Sequence, residues 1–309
     1  GQRANADVEG TGEILRITAT PTDGKRAVAF DPKTRLATAV DYTQLPTPYK
    51  VVRTGYADKK VALTFDDGPD PIWTPQILSI LEQYKVPATF FVIGENGVAN
   101  RSLLQRMVAS GMTLGNHSYT HPNMANSSQT AIGLELNATQ RLVEAYTGRS
   151  MRLFRAPYFG DAEPTTADEL VPAQIAQEHG YTVVGLHVDS DDWMRPGVQH
   201  IVDTTLQQVT SGNPAYSGNI VLLHDGGGDR EQTVAALPGI IVGLRQQGYQ
   251  FVSVAELAGL SQDQVMPPLE GYDLAAVRAD VFAFSAIAVL VESVNWVFFF
   301  AIALGVFRS

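Results

Sequence analysis

Thr64-Phe65-Asp66-Asp67-Gly68-Pro69 follows the apolar run Val61-Ala62-Leu63, and its reading decides the rest of the chain. The apolar run has the character of a buried strand, and Gly-Pro stops it from continuing. Two adjacent carboxylates at its end repel each other and call for a cation, a proton or a positive partner. Taken alone, Asp-Gly-Pro is also ordinary turn chemistry. The pattern around it separates these readings.

From Lys60 onward, strands alternate with helices. Strands are expected over 60–65, 88–94, 112–117, 153–157, 182–188, 219–224 and 248–254. Helices are expected near 73–84, 99–110, 127–146, 165–179, 198–209 and 232–247. Seven strands in this alternation predict an α/β fold, with a parallel sheet closed or nearly closed into a (β/α) barrel. Such barrels build their active sites at the C-terminal strand ends. Asp66, Asp67, His117, Arg155, Asp189 and His224 all fall at such ends.

The flanks differ from this core. Residues 1–57 form a small β-rich extension, with a strand over 13–20 and a hairpin over 26–40, and show no identifiable chemistry. The core domain spans 58–260, and a Pro- and Gly-bearing linker is expected over 261–280. Residues 281–307 (VFAFSAIAVLVESVNWVFFFAIALGVF) are long enough for a transmembrane helix, which needs roughly 20 apolar residues. Glu292 within it costs about 3 kcal/mol, which the surrounding Phe, Val, Ile and Leu offset. The competing reading is a buried C-terminal helix, or two shorter interfacial ones split at Glu292 to Asn295. The chain opens on Gly1 without Met or an apolar leader, as expected of a fragment or processed form.

Composition narrows the function classes. A net charge of -10 without a basic run argues against a nucleic-acid partner. With no cysteine among 309 residues, disulfides and thiolate metal sites are excluded.

His117 and His121 are four apart in His117-Ser118-Tyr119-Thr120-His121. On one helical turn, that spacing presents both imidazoles on one face, as a tetrahedral metal such as zinc requires. With a carboxylate from another strand end, it makes a two-His, one-Asp site that keeps a position open for water. One of Asp66 and Asp67 can then bind the metal while the other takes a proton. His224, followed by Asp225 and Gly226-Gly227-Gly228, is a candidate general acid. Asp189 can hold an imidazolium in place, and Arg155 can pair with an active-site carboxylate. Tyr158 and Trp193 offer a sugar an apolar face.

Together, TFDDGP (64–69), HSYTH (117–121), RAPY (155–158), DSDDW (189–193) and LLH (222–224) resemble the five ordered motifs of the polysaccharide deacetylases. This is the NodB-homology group, carbohydrate esterase family 4. The resemblance implies a deformed (β/α) barrel that removes acetyl groups from β-linked N-acetylglucosamine polymers with a divalent metal, zinc first. It makes Asp66 the general base and Asp67, His117 and His121 the metal ligands. His224 becomes the general acid oriented by Asp189, and Arg155 tunes Asp66. The Tyr158 backbone N–H helps hold the oxyanion, and Trp193 and Leu222 line the groove. An O-acetyl xylan esterase would share these residues, and a silent membrane-anchored glycan-binding module is the alternative from another class. The flanks resemble bacterial membrane proteins in which such a domain precedes a family 2 glycosyltransferase. That implies an extracytoplasmic enzyme at the bacterial cell membrane, with the glycosyltransferase module in the same full-length chain.

Overall fold

The computed structural model describes residues 5–211, 218–270 and 273–306, with part of the last segment's side chains outside the description. The strands are β1 (Ala6–Gly10), β2 (Ile14–Ala19), β3 (Lys25–Phe30), β4 (Ala37–Gln44), β5 (Tyr49–Thr54), β6 (Lys60–Asp66), β7 (Ala88–Val92), β8 (Thr113–Asn116), β9 (Leu153–Phe154), β10 (Thr182–Val184), β11 (Val188–Asp189), β12 (Ile220–His224) and β13 (Gln250–Phe251). The helices are α1 (Thr74–Tyr84), α2 (Gly94–Ala99), α3 (Arg101–Ala109), α4 (Gln129–Thr147), α5 (Ala167–Glu178), α6 (Val198–Val209), α7 (Glu231–Gln246), α8 (Val254–Leu257), α9 (Gln262–Val265) and α10 (Asp273–Val306).

Eleven strands form one sheet in the order β1-β5-β2-β10-β9-β8-β7-β6-β12-β11, with β13 also paired to β6. The strands from β10 to β11 run parallel to one another. Strand β6 is buried along most of its length, as an interior strand of the parallel run between β7 and β12. Phe65 stacks on Phe90 at 5.0 Å between ring centroids, fixing β6 against β7 inside the core.

Two expectations change here. The pairing is not an unbroken ring: β2 pairs antiparallel with β10, and β11, at the other end of the parallel run, begins after only three intervening residues, so the two ends of that run lie close together. The expected strand 182–188 is broken in two at Gly185. The first piece pairs with β9 and the second with β12, and a Cβ at Gly185 between them would lie 2.9 Å from the Ala162 backbone, so only glycine fits there. The N-terminal strands β1, β2 and β5 therefore extend the catalytic sheet, while β3 and β4 form a separate hairpin.

Beyond α8, Val265 and Met266 are fully buried, and Arg152 N–H donates to the Val265 carbonyl at 2.8 Å. The start of α10 then lies along α4. Arg141 donates twice to the Asp280 carboxylate, at 2.8 and 3.0 Å, and Phe284 meets Tyr146 edge-on at 6.3 Å. The expected membrane-spanning segment falls on α10, with its last residue, 307, outside the described residues. Among the described residues, no helix is long and apolar enough to cross a membrane.

Burial of the Phe284 ring, not the exposed ion pair, is expected to hold α10 in place. Phe284→Ala should cost the docked turn about 1–2 kcal/mol, and Arg141→Ala about 0–1 kcal/mol. Amide exchange along 277–284 checks this ranking, and the reverse order would contradict it.

Candidate active site

Asp66 ends β6, and its neighbour on β12 in the parallel register is His224. Both side chains thus emerge at one end of the sheet, where they line a cleft of about 740 Å³. Asp66 is buried and takes its partner from just beyond β9: Arg155, also buried, donates from Nη1 to Asp66 Oδ1 at 2.9 Å. The same nitrogen reaches the Thr64 hydroxyl at 2.8 Å, and the guanidinium lies 4.4 Å above the Phe91 ring. A charge buried this deeply needs such a partner, because desolvation alone would cost several kcal/mol.

Asp67 turns the other way. Its φ of 75° takes the chain out of the strand and aims its carboxylate at the two histidines. Asp67 Oδ1 lies 3.5 Å from His117 Nε2 and 3.2 Å from His121 Nε2. Burial works to raise the Asp67 pKa, but the close approach of the two imidazoles and the charge on His117 and His224 outweigh it and hold the carboxyl well below its usual range. Ligand atoms of Asp67, His117 and His121 all fall within 4.8 Å of one another. Asp67 Oδ1 is buried without a hydrogen-bond partner. An orphaned carboxylate oxygen facing two imidazole nitrogens fits a divalent metal. His117 Nδ1 lies 2.8 Å from the Arg155 carbonyl, which fixes the ring and leaves Nε2 for the metal.

The two histidines converge without the expected helical turn. Residues 117–121 form an irregular loop, with Ser118 and His121 at φ 70° and 56°. Glu135 on α4 dictates this shape: its carboxylate accepts the Tyr119 and Thr120 N–H groups, both at 2.8 Å, and the Thr120 hydroxyl. The rings sit 5.1 Å apart, and Tyr158 packs edge-on to His121 at 4.6 Å.

The acid paired with His224 is Asp192, not the expected Asp189. Asp192 Oδ1 lies 2.7 Å from His224 Nδ1, while Oδ2 accepts the His224 N–H at 3.0 Å and the Thr233 hydroxyl at 2.6 Å. Asp189 instead accepts the Asp191 N–H at 2.8 Å. Asp191 sits in the left-handed region at φ 53°, and this turn brings Asp192 under the imidazole. Burial lowers the His224 pKa, but the bond and charge of Asp192 overcome it and raise the pKa to about 9. Tyr158, Trp193 and Leu222 line the cleft as expected, with Tyr158 at φ 65° and Trp193 half exposed.

Asp225 escaped the sequence reading. Fully buried, it has its pKa pushed up to about 7 by desolvation, and it accepts the Thr74 hydroxyl at 2.5 Å. It packs on Gly68, where any Cβ would overlap its carboxylate. Its sequence signal was only its place between His224 and three glycines.

A polysaccharide deacetylase family model matches residues 54–184. A peptidoglycan-N-acetylglucosamine deacetylase of Bacillus cereus is 41% identical over 216 residues, spanning 69% of this chain and 94% of that protein. The chain belongs to the polysaccharide deacetylase family. Another member, a chitooligosaccharide deacetylase of Sinorhizobium fredii, is 37% identical over 219 residues, spanning 67% of this chain and 95% of that protein. Among solved structures of the family, a peptidoglycan N-acetylglucosamine deacetylase bound to a benzamide superposes with a TM-score of 0.59. It is 30% identical and covers 68% of this chain and 92% of its own.

The Asp192–His224 pair has a consequence with a defined sign. The folded pKa lies above the usual 6.5, so the pair's stabilisation is complete below that pH and is lost as pH rises towards 9. Asp192→Asn should move the alkaline limb of the kcat/KM profile to lower pH by roughly 1–3 units, with Asp189→Asn moving it much less. An unmoved limb in Asp192→Asn would contradict the assignment.

Proposed function

We propose that this protein is a metal-dependent deacetylase of β-linked N-acetylglucosamine polymers. The carrying observation is the separation of the two aspartates: Asp66 is tied to Arg155, and Asp67 faces His117 and His121. One carboxylate is thereby left for a proton and the other for a cation.

In this reading Asp67, His117 and His121 hold the metal, zinc by the chemistry of the donor set. A metal held there would supply Lewis-acid polarisation of the acetamide carbonyl and would acidify a water beside it. Asp66 accepts a proton from the attacking water, with Arg155 holding Oδ1 and Oδ2 lying 3.8 Å from His117 Nε2. The Tyr158 backbone N–H donates to the developing oxyanion. His224 is protonated at neutral pH and gives its proton to the leaving amine, while Asp192 keeps the ring oriented from Nδ1. Trp193 and Leu222 form the wall against which the sugar lies.

We also read the protein as extracytoplasmic and lying beside a polysaccharide synthase module of a longer chain, with the apolar side of α10 against a neighbouring surface rather than spanning a bilayer. The support is the exposed apolar surface of α10, including Phe282, Val289, Leu290 and Val297.

The test is acetate release from N-acetylglucosamine oligomers and from acetylated xylan, with and without a chelator. Chelator-sensitive release from the N-acetyl oligomers is expected. Release from xylan alone would replace the reading with an O-acetyl esterase. Release from neither, by metal-loaded protein, would leave a glycan-binding module.

A further inference from the structure

A second set of charged side chains shares the cleft and has no part in the chemistry above. His187 sits at the break between β10 and β11, with its side chain buried. Its Nδ1 lies 3.3 Å from Glu13 Oε1, and its Nε2 lies 2.9 and 3.0 Å from the two oxygens of Glu163. Arg53 on β5 donates from Nη1 to Glu163, reaches His187 Nε2 at 3.2 Å, and donates from Nη2 to the Gly10 carbonyl at 3.1 Å. Glu13, just before β2, is fully buried. It accepts the Ile220 N–H through Oε1 at 3.2 Å and the Gly185 N–H through its carbonyl at 2.7 Å. Two of these four residues come from the N-terminal extension, and two line the cleft that holds Asp66 and His224.

Such an array is expensive to bury and is weak evidence for stability. Its effect is positional. Glu163 is about one-third exposed, whereas Glu13, Arg53 and His187 are buried, so the array presents a single carboxylate to the cleft in a fixed orientation. A fixed carboxylate is a strong acceptor for sugar hydroxyls and amide N–H groups, and prior ordering lowers the cost of binding. The cleft, at about 740 Å³, suits a ligand larger than one sugar ring. The reacting acetamide belongs among Asp66, Asp67 and His224, which leaves Glu163 to a different unit of the chain.

We propose that Glu163, held by His187, Arg53 and Glu13, is a specificity-determining contact for the sugar unit next to the one deacetylated. The N-terminal strands are then part of the substrate cleft. This inference rests on the deacetylase reading, and its test separates the two.

Acetate release is compared for an N-acetylglucosamine tetramer and a single-unit aryl glycoside, in the parent, Glu163→Gln, Glu163→Asp and Glu13→Gln. In Glu163→Gln, the ratio of tetramer to single-unit kcat/KM should fall about tenfold, the size of one charge-assisted hydrogen bond, and KM should carry the fall. Glu163→Asp, which keeps the charge with a shorter reach, should give an intermediate ratio, and Glu13→Gln a smaller fall in the same direction. Equal losses on both substrates, or no change in either, would overturn the proposal. Calorimetric titration with the tetramer decides it even without turnover. Weaker binding by Glu163→Gln than by the parent supports the contact, and equal binding or none overturns it. Absence of acetate release by the metal-loaded parent counts against the deacetylase reading alone.

Discussion

The buried ion pair between Arg155 and Asp66 is the constraint on which the rest of the site depends. Each charge would be costly alone at this depth, and neither has another opposite charge as close in the described structure. The pair joins β6 to the residue just beyond β9 across the two strands between them, so the sheet order itself is tied to the site. The Arg155 backbone contributes as well, because its carbonyl sets the His117 ring that faces Asp67. One residue therefore positions the proposed base and one proposed metal ligand.

With Asp66 committed to Arg155, the repulsion between adjacent carboxylates is relieved by geometry. The left-handed turn at Asp67 sends its carboxylate to the imidazoles, and the glycine loop 226–228 closes over it. A Cβ at Gly226 would overlap the Asp67 carbonyl, and one at Gly227 would come 2.6 Å from Asp67 Oδ2. Asp225 under Gly68 completes the packing, and Asn96 holds the Asp67 carbonyl at 2.8 Å. The two aspartates are neighbours in sequence with separate surroundings, as a division between proton and cation requires.

Much of this was legible beforehand because strand ends are legible. Apolar runs that stop at Asp66, His117, Arg155 and His224 locate the site in any parallel sheet built this way. What was not legible depends on local backbone. Three aspartates lie within Asp189–Asp192, and only the left-handed residue Asp191 selects which of them meets His224. The helical reading of 117–121 failed because Glu135, fourteen residues beyond His121, takes the loop's N–H groups. The interruption of strand 182–188 was not legible, because β2, from a segment with no visible chemistry, takes an edge of β10 beside the break. Glu13 and Arg53 belong to that same segment, and single charges at strand ends carry no pattern of their own.

The division of labour between Asp66 and Asp67 is tested most directly by zinc titration and turnover of the two asparagine variants side by side. Asp67→Asn should lose most of its zinc affinity. Asp66→Asn should bind zinc as the parent does and lose nearly all turnover. Near-parent turnover in Asp66→Asn, or undiminished zinc binding in Asp67→Asn, would contradict the account.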